Sequence, residues 1–275
     1  MSDFERKPAI PGTIDYLYWK NYHERDQNVT FEEGPHIYTI AGYERGDSTS
    51  VTTWNKNHFS EFDPETVAEK IISGKKWATD STYKYYQMSK EDMIALWKNS
   101  GKEASESGTK LHNDIEQYFN GMEVSNDSIE YTYFLKFRED YKHLTPYRTE
   151  WMVYHEDLKL VGSIDMIYEN PDGDLEIYDW KRSKEIVYDN QYNKFAKTAC
   201  ISHLPDTNFW HYSLQLNTYR RIIQEKYGKK VVGLYLVRFH PDNAYKTYDR
   251  INVSIMDNEL DELFELRKKE LEKST

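Results

Sequence analysis

The sequence predicts an α+β, or mixed α/β, fold in which a helical region precedes a central sheet flanked by helices. Helix-capping residues and apolar stripes at helical spacing fill about residues 60–145. Runs typical of strands then dominate about residues 146–255. The sequence has no internal repeat and no low-complexity segment, so we expect a single domain over residues 1–275.

The chain before about residue 34 predicts an irregular arm or a short helix, and residues 36–40 predict a strand. Two helices are then expected. Asp63, with a proline directly after it, is typical of an N-cap and marks the start of the first. Ser89 caps the second, which we expect to end at Gly101.

Two more helices complete the helical region. The stretch "ESGTKLHNDIEQYFNG" places Leu111, Ile115 and Phe119 on one helix face and ends at Gly121. The stretch "SIEYTYFLKFREDYKHL" predicts a fourth helix, which closes before Pro146.

The sheet region begins with three successive strand candidates, "YRTEWMVYHE", "LKLVGSIDMIYE" and "DLEIYDWKRS". A polar loop over about residues 184–207 follows. A long helix is expected in "TNFWHYSLQLNTYRRIIQEKYGKK", and a strand pair in "VVGLYLVRFH" and "YKTYDRINVSI". The charged stretch "DNELDELFELRKKELEK" predicts a closing helix.

The second and third strands form a hairpin that carries an unusual group of charges. The stretch "ENPDGD" supplies its turn, with Pro171 and Gly173 in favoured positions. Centring the turn there makes cross-strand partner numbers add to 343 or 344, and the second value pairs Asp165 with Asp179. Their Cβ atoms would be about 4.5–5.5 Å apart. Lys181 shares their face because residues two apart in a strand point the same way.

Glu150 on the preceding strand is a possible third acid. A two-residue turn at residues 156–157 would pair Glu150 with Ser163, on the face of Asp165. A slip of one residue would turn Glu150 away. Its membership therefore depends on that register.

Opposed carboxylates on a covered face need compensation. Like charges across a strand pair are destabilising, and buried carboxylates cost several kcal/mol each. A divalent cation with hard oxygen ligands, Mg²⁺ or Mn²⁺ as one or two ions, would supply it. Lys181 would then orient an attacking water or stabilise negative charge at phosphorus. The alternative is a surface hairpin whose acids face water.

Composition excludes several other classes. The net charge of −11 argues against a general nucleic-acid coat protein, although a local basic groove with divalent cations stays compatible. A single cysteine, Cys200, rules out an intrachain disulfide and an iron–sulfur cluster built from this chain. The start "MSDFERKPAIPG" lacks a secretory pattern, and no run approaches about 18 apolar residues. We expect no membrane interaction and a location in the cytoplasm, or in the host cytoplasm or nucleus for a viral protein, without secretion.

These residues resemble the PD-(D/E)xK nuclease superfamily, in which the metal acids lie on adjacent strands. Asp165 matches the first acid, Asp179 the second, and Lys181 the lysine two residues later. Ile164 stands where the family usually has proline, as is common in the RecB-like branch. The resemblance implies a restriction-endonuclease-like core.

Two further motifs resemble that branch. "GTKLHNDIE" is similar to its upstream helix, which implies that His112 is a metal ligand. "QLNTY" is similar to its Q-x-x-x-Y helix, which implies that Gln215 and Tyr219 approach the lysine and the nucleic acid. The backbone carbonyl of Trp180 is a further implied ligand. The similarity covers about residues 105–225 and most resembles mitochondrial genome maintenance exonucleases and related viral or phage exonucleases.

The resemblance implies a metal-dependent DNA exonuclease, with Asp165, Asp179, Lys181, Gln215 and Tyr219 as the catalytic set. Its substrate would be single-stranded ends in replication, repair or recombination. A separate helicase, polymerase or single-strand-binding protein is a possible partner, because the chain lacks the GxxxxGK[ST] motif. Two alternatives stay open: an RNA endonuclease of the cap-snatching type, and a non-catalytic DNA-binding protein on the same fold.

Several side chains are possible additions to the site. Glu116, one helical turn after His112, could orient its imidazole, and an exposed helix acid is the equal alternative. Lys184, Arg220 and Arg221 could contact DNA phosphates, although a solvated charged face is the ordinary explanation.

Overall fold

The computed structural model describes residues 6–190 and 192–273, so residues 1–5 of the predicted arm lie outside it. The chain divides into two compact units. One comprises Met1–Ser60 with Leu111–Thr275, and the other is Glu61–Lys110. That residues 1–275 form one nuclease domain stays a prediction.

The larger unit contains the sheet. Its strands are β1 (Val29–Glu32), β2 (Ile37–Ile40), β3 (Thr49–Ser50), β4 (Thr145–His155), β5 (Leu160–Glu169), β6 (Leu175–Lys181), β7 (Val231–Arg238) and β8 (Asp249–Asn252). The main sheet has the order β3-β5-β6-β7-β8, with β4 also paired to β5. Pairing is parallel for β3–β5 and β6–β7 and antiparallel elsewhere, so the predicted mixed α/β class is confirmed.

The helices are α1 (Tyr16–Lys20), α2 (Val51–Lys56), α3 (Pro64–Ile72), α4 (Lys75–Thr79), α5 (Lys90–Phe119), α6 (Ile129–Asp140), α7 (Asn208–Lys226) and α8 (Asp257–Lys273). The predicted caps hold: the Asp63 side chain accepts from the backbone N–H groups of Glu65 and Thr66. Ser128 caps α6 in the same way. None of the helices in the described ranges is long and apolar enough to cross a membrane.

Helix α5 corrects one prediction. It runs unbroken through Gly101, so the expected end at this residue is wrong and two predicted helices are one. A glycine inside a helix costs only about 0.5–1 kcal/mol relative to alanine, less than a broken helix. The true end uses Gly121, whose φ of 80° is the left-handed conformation of a C-terminal glycine. The N-terminal arm also contains β1, which pairs with β2 and was not predicted.

Two apolar cores lie on the two faces of the sheet. Helices α2, α7 and α8 pack on one face, where Ile167 and Ile177 are fully buried. The residues of α5 from Leu111 onward and helix α6 pack on the other face, against Tyr178 and Trp180. Because residues alternate along a strand, Asp179 and Lys181 belong to the α7 face.

A buried ion pair ties the N-terminal segment to β4. The Arg148 guanidinium donates to Asp26 over 2.7 Å, and both side chains are only 2% exposed. The indole N–H of Trp151 donates to the other oxygen of Asp26 over 2.8 Å. The ring of Tyr18 covers the same guanidinium at 4.7 Å. The segment before β1 is therefore an integral part of the larger unit.

Candidate active site

The hairpin of β5 and β6 has the predicted register. Its paired residues run from Glu169 and Leu175 to Met166 and Tyr178, with partner numbers adding to 344. The ladder ends just before Asp165 and Asp179. There the Asp165 Oδ2 atom accepts the backbone N–H of Trp180 over 2.8 Å, in place of a ladder bond. The two acids thus lie where the strands begin to separate, and β6 continues alongside β7.

His112, Glu150 and Asp165 form a compact group of possible metal ligands. One donor atom from each lies within 4.8 Å of the other two. His112 Nδ1 is 3.6 Å from Asp165 Oδ2 and 3.9 Å from Glu150 Oε1. Helix α5 therefore brings the histidine to the strand acids, as the sequence predicted.

Glu150 reaches this group by a different register from the predicted one. The link between β4 and β5 is four residues long, a short 3₁₀ turn at Glu156–Leu158 followed by Lys159 at a φ of 49°. Partner numbers then add to 315, and the predicted pairing of Glu150 with Ser163 is wrong because Met152 faces Ser163. The shift is two residues, which preserves the face of the strand.

The backbone of Glu150 is unusual. Its φ is 42°, a left-handed conformation in the middle of a strand, and it is missing from the ladder between Thr149 and Trp151. Such a conformation costs about 1–3 kcal/mol for a residue with a side chain. The side chain is held by Ser163, whose hydroxyl donates to Oε2 over 2.8 Å. A strained residue beside other acids is typical of a functional position.

The acids carry more negative charge than their neighbours compensate. Burial and the adjacent Asp165 raise the pKa of Glu150 to about 8. Burial also raises the pKa of Asp179 to about 6, although Lys181 opposes that shift. Three carboxylates therefore share one ammonium group. A divalent cation fits this deficit, and the imidazole and carboxylate donors fit its chemistry.

Lys181 is held as a cation. Its Nζ atom lies 2.5 Å from Asp179 Oδ2. Burial by itself would lower the pKa of Lys181, but the charges of Asp179 and Asp165 outweigh it and raise the pKa. The ammonium also sits 4.6 Å from the ring centre of Tyr212. A lysine in this state donates hydrogen bonds and positive charge, and it cannot accept a proton.

The carbonyl of Trp180 lies beside the histidine. His112 Nε2 is 3.0 Å from this oxygen, a hydrogen-bond distance when the nitrogen carries the proton. Two neighbouring ligands of an octahedral Mg²⁺ are also about 3.0 Å apart, given bonds of about 2.1 Å. The position therefore fits the predicted role of the carbonyl as a ligand. Asp179, by contrast, contacts Lys181 and lies outside the three-residue group.

Helix α7 covers the site from the lysine side. The side chains of Gln215 and Tyr219 hydrogen-bond to each other, and Tyr219 is 3% exposed. A Cβ atom added to Gly162 would lie 2.6 Å from the Tyr219 hydroxyl. The glycine three residues before Asp165 therefore makes room for the tyrosine of α7. This contact gives a steric reason for both motif residues.

Tyr212 was missed by the sequence reasoning. It precedes Gln215 by three residues and Tyr219 by seven, so the helical period alone places it on their face. Nothing in the sequence marked its contact with Lys181, which depends on how α7 packs on the sheet. The spacing was the available signal.

The remaining predicted residues are placed less directly. Burial raises the pKa of Glu116, one turn from His112, but no hydrogen bond links the two side chains in the described ranges. Lys184 is exposed and lies 3.5 Å from Asp242. Arg220 pairs with Asp257 of α8.

Arg221 likewise pairs with Asp261 of α8 and with Glu225. The structure therefore does not bring Arg220 or Arg221 to the acids. Their contact with DNA stays a prediction, as does that of Lys184.

Fold and site together define a hydrolase that acts on nucleic acid with divalent metal ions. The chain belongs to the PD-(D/E)XK nuclease superfamily, whose family model matches residues 81–273. No curated protein matches the chain. Among solved structures, it is similar to a candidate exonuclease from Eubacterium rectale, with 12% identity and a TM-score of 0.38, over 92% of this chain and 83% of that one. The family assignment rests on the family model.

Proposed function

We propose that the protein is a divalent-metal-dependent DNA exonuclease acting on single-stranded ends in replication, repair or recombination. The observation that carries the proposal is the convergence of His112, Glu150 and Asp165 within 4.8 Å, beside the ion pair of Asp179 and Lys181. We place its action in the cytoplasm or nucleus, on DNA supplied by a separate helicase, polymerase or single-strand-binding protein.

The residues have distinct roles in phosphodiester hydrolysis. His112, Glu150 and Asp165 would hold Mg²⁺ or Mn²⁺, with Asp179 and the Trp180 carbonyl completing the set. When bound, the ion supplies Lewis acidity that activates water and neutralises phosphate charge. Lys181, fixed by Asp179 and Tyr212, donates to the oxygens on which negative charge develops at phosphorus.

The α7 face supports a preference for a DNA strand. Gln215 and Tyr219 lie behind Lys181 and form a rigid wall, because Tyr219 packs directly on Gly162. Gln215 is partly exposed, so its amide can reach a sugar or phosphate. This arrangement matches the role that the Q-x-x-x-Y helix implies.

The test uses end-labelled single- and double-stranded DNA, RNA and circular DNA, with Mg²⁺, Mn²⁺ or EDTA. We expect mononucleotides or short products from one end of single-stranded DNA, only with metal. Asp165→Asn and Asp179→Asn should each lose at least 100-fold in rate. Asp172→Ala, which removes an exposed acid from the turn of the same hairpin, is the matched control.

Three outcomes would overturn the proposal. Cleavage that survives EDTA or the Asp179→Asn change would remove the metal mechanism. Cutting of circular DNA would establish endonuclease action, and a preference for RNA would assign the other substrate. Circular dichroism spectra of all variants separate lost chemistry from lost folding.

A further inference from the structure

We propose that Tyr192 and Tyr245 form a stacking surface for the bases of a single-stranded nucleic acid that leads to the catalytic site. This inference rests on the proposed function and names the path of its substrate. The two rings are 81% and 82% exposed, the most exposed large apolar side chains in the described part of the chain.

Both tyrosines lie on loops that leave the sheet next to Lys181. Strands β6 and β7 are parallel neighbours, and Lys181 of the first is paired with Arg238 of the second. The pairing continues past the strands, because the N–H of Phe239 donates to the Lys181 carbonyl over 2.8 Å. Lys184 on one loop then lies 3.5 Å from Asp242 on the other. The two loops therefore start side by side at the catalytic edge.

The first loop displays Tyr192 by an asparagine turn. The Asn190 Oδ1 atom accepts the backbone N–H groups of Tyr192, over 3.2 Å, and of Lys194, over 2.9 Å. The Asn190 amide donates to the Lys194 carbonyl over 2.7 Å. Farther along, Ala196 is buried and its N–H bonds to the Leu204 carbonyl. The loop is thus anchored on both sides of the exposed ring.

The second loop repeats the device. Asn243 is 1% exposed, and its Oδ1 accepts the backbone N–H of Tyr245 over 3.1 Å. Its amide donates to the Thr247 carbonyl over 2.6 Å. A buried asparagine therefore fixes the turn while the ring of Tyr245 points to solvent. Exposing an aromatic ring on a fixed turn wastes apolar burial unless another molecule covers it.

The charge around both rings fits a polyanion. Residues 190–197 contain two lysines and no acid, and residues 243–247 contain Lys246 and no acid. The chain as a whole has a net charge of −11, so these two segments are local exceptions. A ring next to an exposed ammonium matches a nucleotide, which offers a base to stack and a phosphate to neutralise. A protein partner would need a larger continuous apolar patch.

The experiment measures binding and kinetics on fluorescein-labelled poly-dT of about 20 and about 4 nucleotides. Binding is measured by anisotropy with Ca²⁺ in place of Mg²⁺. Tyr192→Ala and Tyr245→Ala should each raise Kd and KM for the long oligomer about tenfold, with kcat within twofold, because base stacking on a ring is lost. Tyr192→Phe and Tyr245→Phe should retain wild-type values, since the ring remains. Val232→Ala, an exposed apolar residue at the far end of β7, should change nothing.

The outcomes separate this inference from the proposed function. Alanine variants that bind the long oligomer like wild type, phenylalanine variants as weak as alanine ones, or equal losses on both lengths would overturn the stacking surface. A change in oligomeric state with alanine, measured by analytical ultracentrifugation, would assign the rings to a second copy and overturn it too. A wild-type protein that binds DNA through these rings yet cleaves none would keep the surface and refute the nuclease.

Discussion

Glu150→Gln should stabilise the metal-free protein, and more so as the pH rises. The ordinary pKa of a glutamate is about 4.5, and in the folded protein burial and Asp165 raise it to about 8. Between these values the unfolded chain releases the proton while the folded chain keeps it. The folded state of the wild type therefore loses stability as pH rises through this window, up to the folded pKa. Glutamine does not titrate, so the variant escapes the loss.

The magnitude follows from the shift and from the exposure of the side chain. At face value a change from 4.5 to about 8 corresponds to about 5 kcal/mol. The Glu150 side chain is 35% exposed, however, and solvent screens such a group. We expect a gain of about 1–2 kcal/mol at pH 8.5, which raises Tm by about 3–6 °C for a chain of this size, and almost no gain at pH 4.5.

Thermal unfolding followed by circular dichroism, in EDTA at pH 4.5 and 8.5, measures the difference. Glu123→Gln, an exposed acid outside the site, controls for the loss of one charge. Added Mn²⁺ should raise Tm of the wild type more than that of Glu150→Gln, which has one ligand fewer. A Tm difference that is equal at both pH values would refute the electrostatic account of Glu150.

Three further results are expected. Gly162→Ala should cost about 1–3 kcal/mol in urea unfolding and reduce activity, because its Cβ would lie 2.6 Å from the Tyr219 hydroxyl; adding Tyr219→Phe should restore part of the stability, and no restoration would refute the steric contact. Gly101→Ala should raise the free energy of unfolding by about 0.5–1 kcal/mol, since no atom lies within 4 Å of the added Cβ, whereas a loss would show that this glycine bends α5. Lys181→Met should lower kcat about 100-fold with little change in oligonucleotide Kd; Lys230→Met, on the surface at the other end of the sheet, is its control, and an equal loss of Kd would make Lys181 a binding residue.

The hairpin and its acids could be predicted because local chemistry determines them. A turn with Pro171 and Gly173 fixes the register of β5 and β6, and the register fixes which side chains share a face. The prediction for Glu150 had the right face and the wrong partner. The sequence does not reveal that a 3₁₀ turn and a left-handed Lys159 lengthen the connection, because both depend on packing against the rest of the unit.

Other features depend on tertiary contacts and escaped prediction. Strands β1 and β3 are short, and β3 is defined only by its pairing with β5, more than 100 residues away in the sequence. Helix α5 continues through Gly101 because glycine carries a helix-breaking preference and no absolute block. The position of Tyr212 under Lys181 needs the packing of α7. Local patterns specify the elements, whereas partner choice is a property of the whole fold.

The ion pair of Asp26 and Arg148 sets the smallest fragment that can fold. The family model covers residues 81–273, a natural boundary for trimming the gene. A fragment cut there keeps Arg148 and removes Asp26, which leaves a guanidinium that is 2% exposed without its carboxylate. Removing one partner of such a pair costs about 3–5 kcal/mol, a large share of the stability of most domains. The region recognised by similarity is therefore smaller than the region that must be expressed.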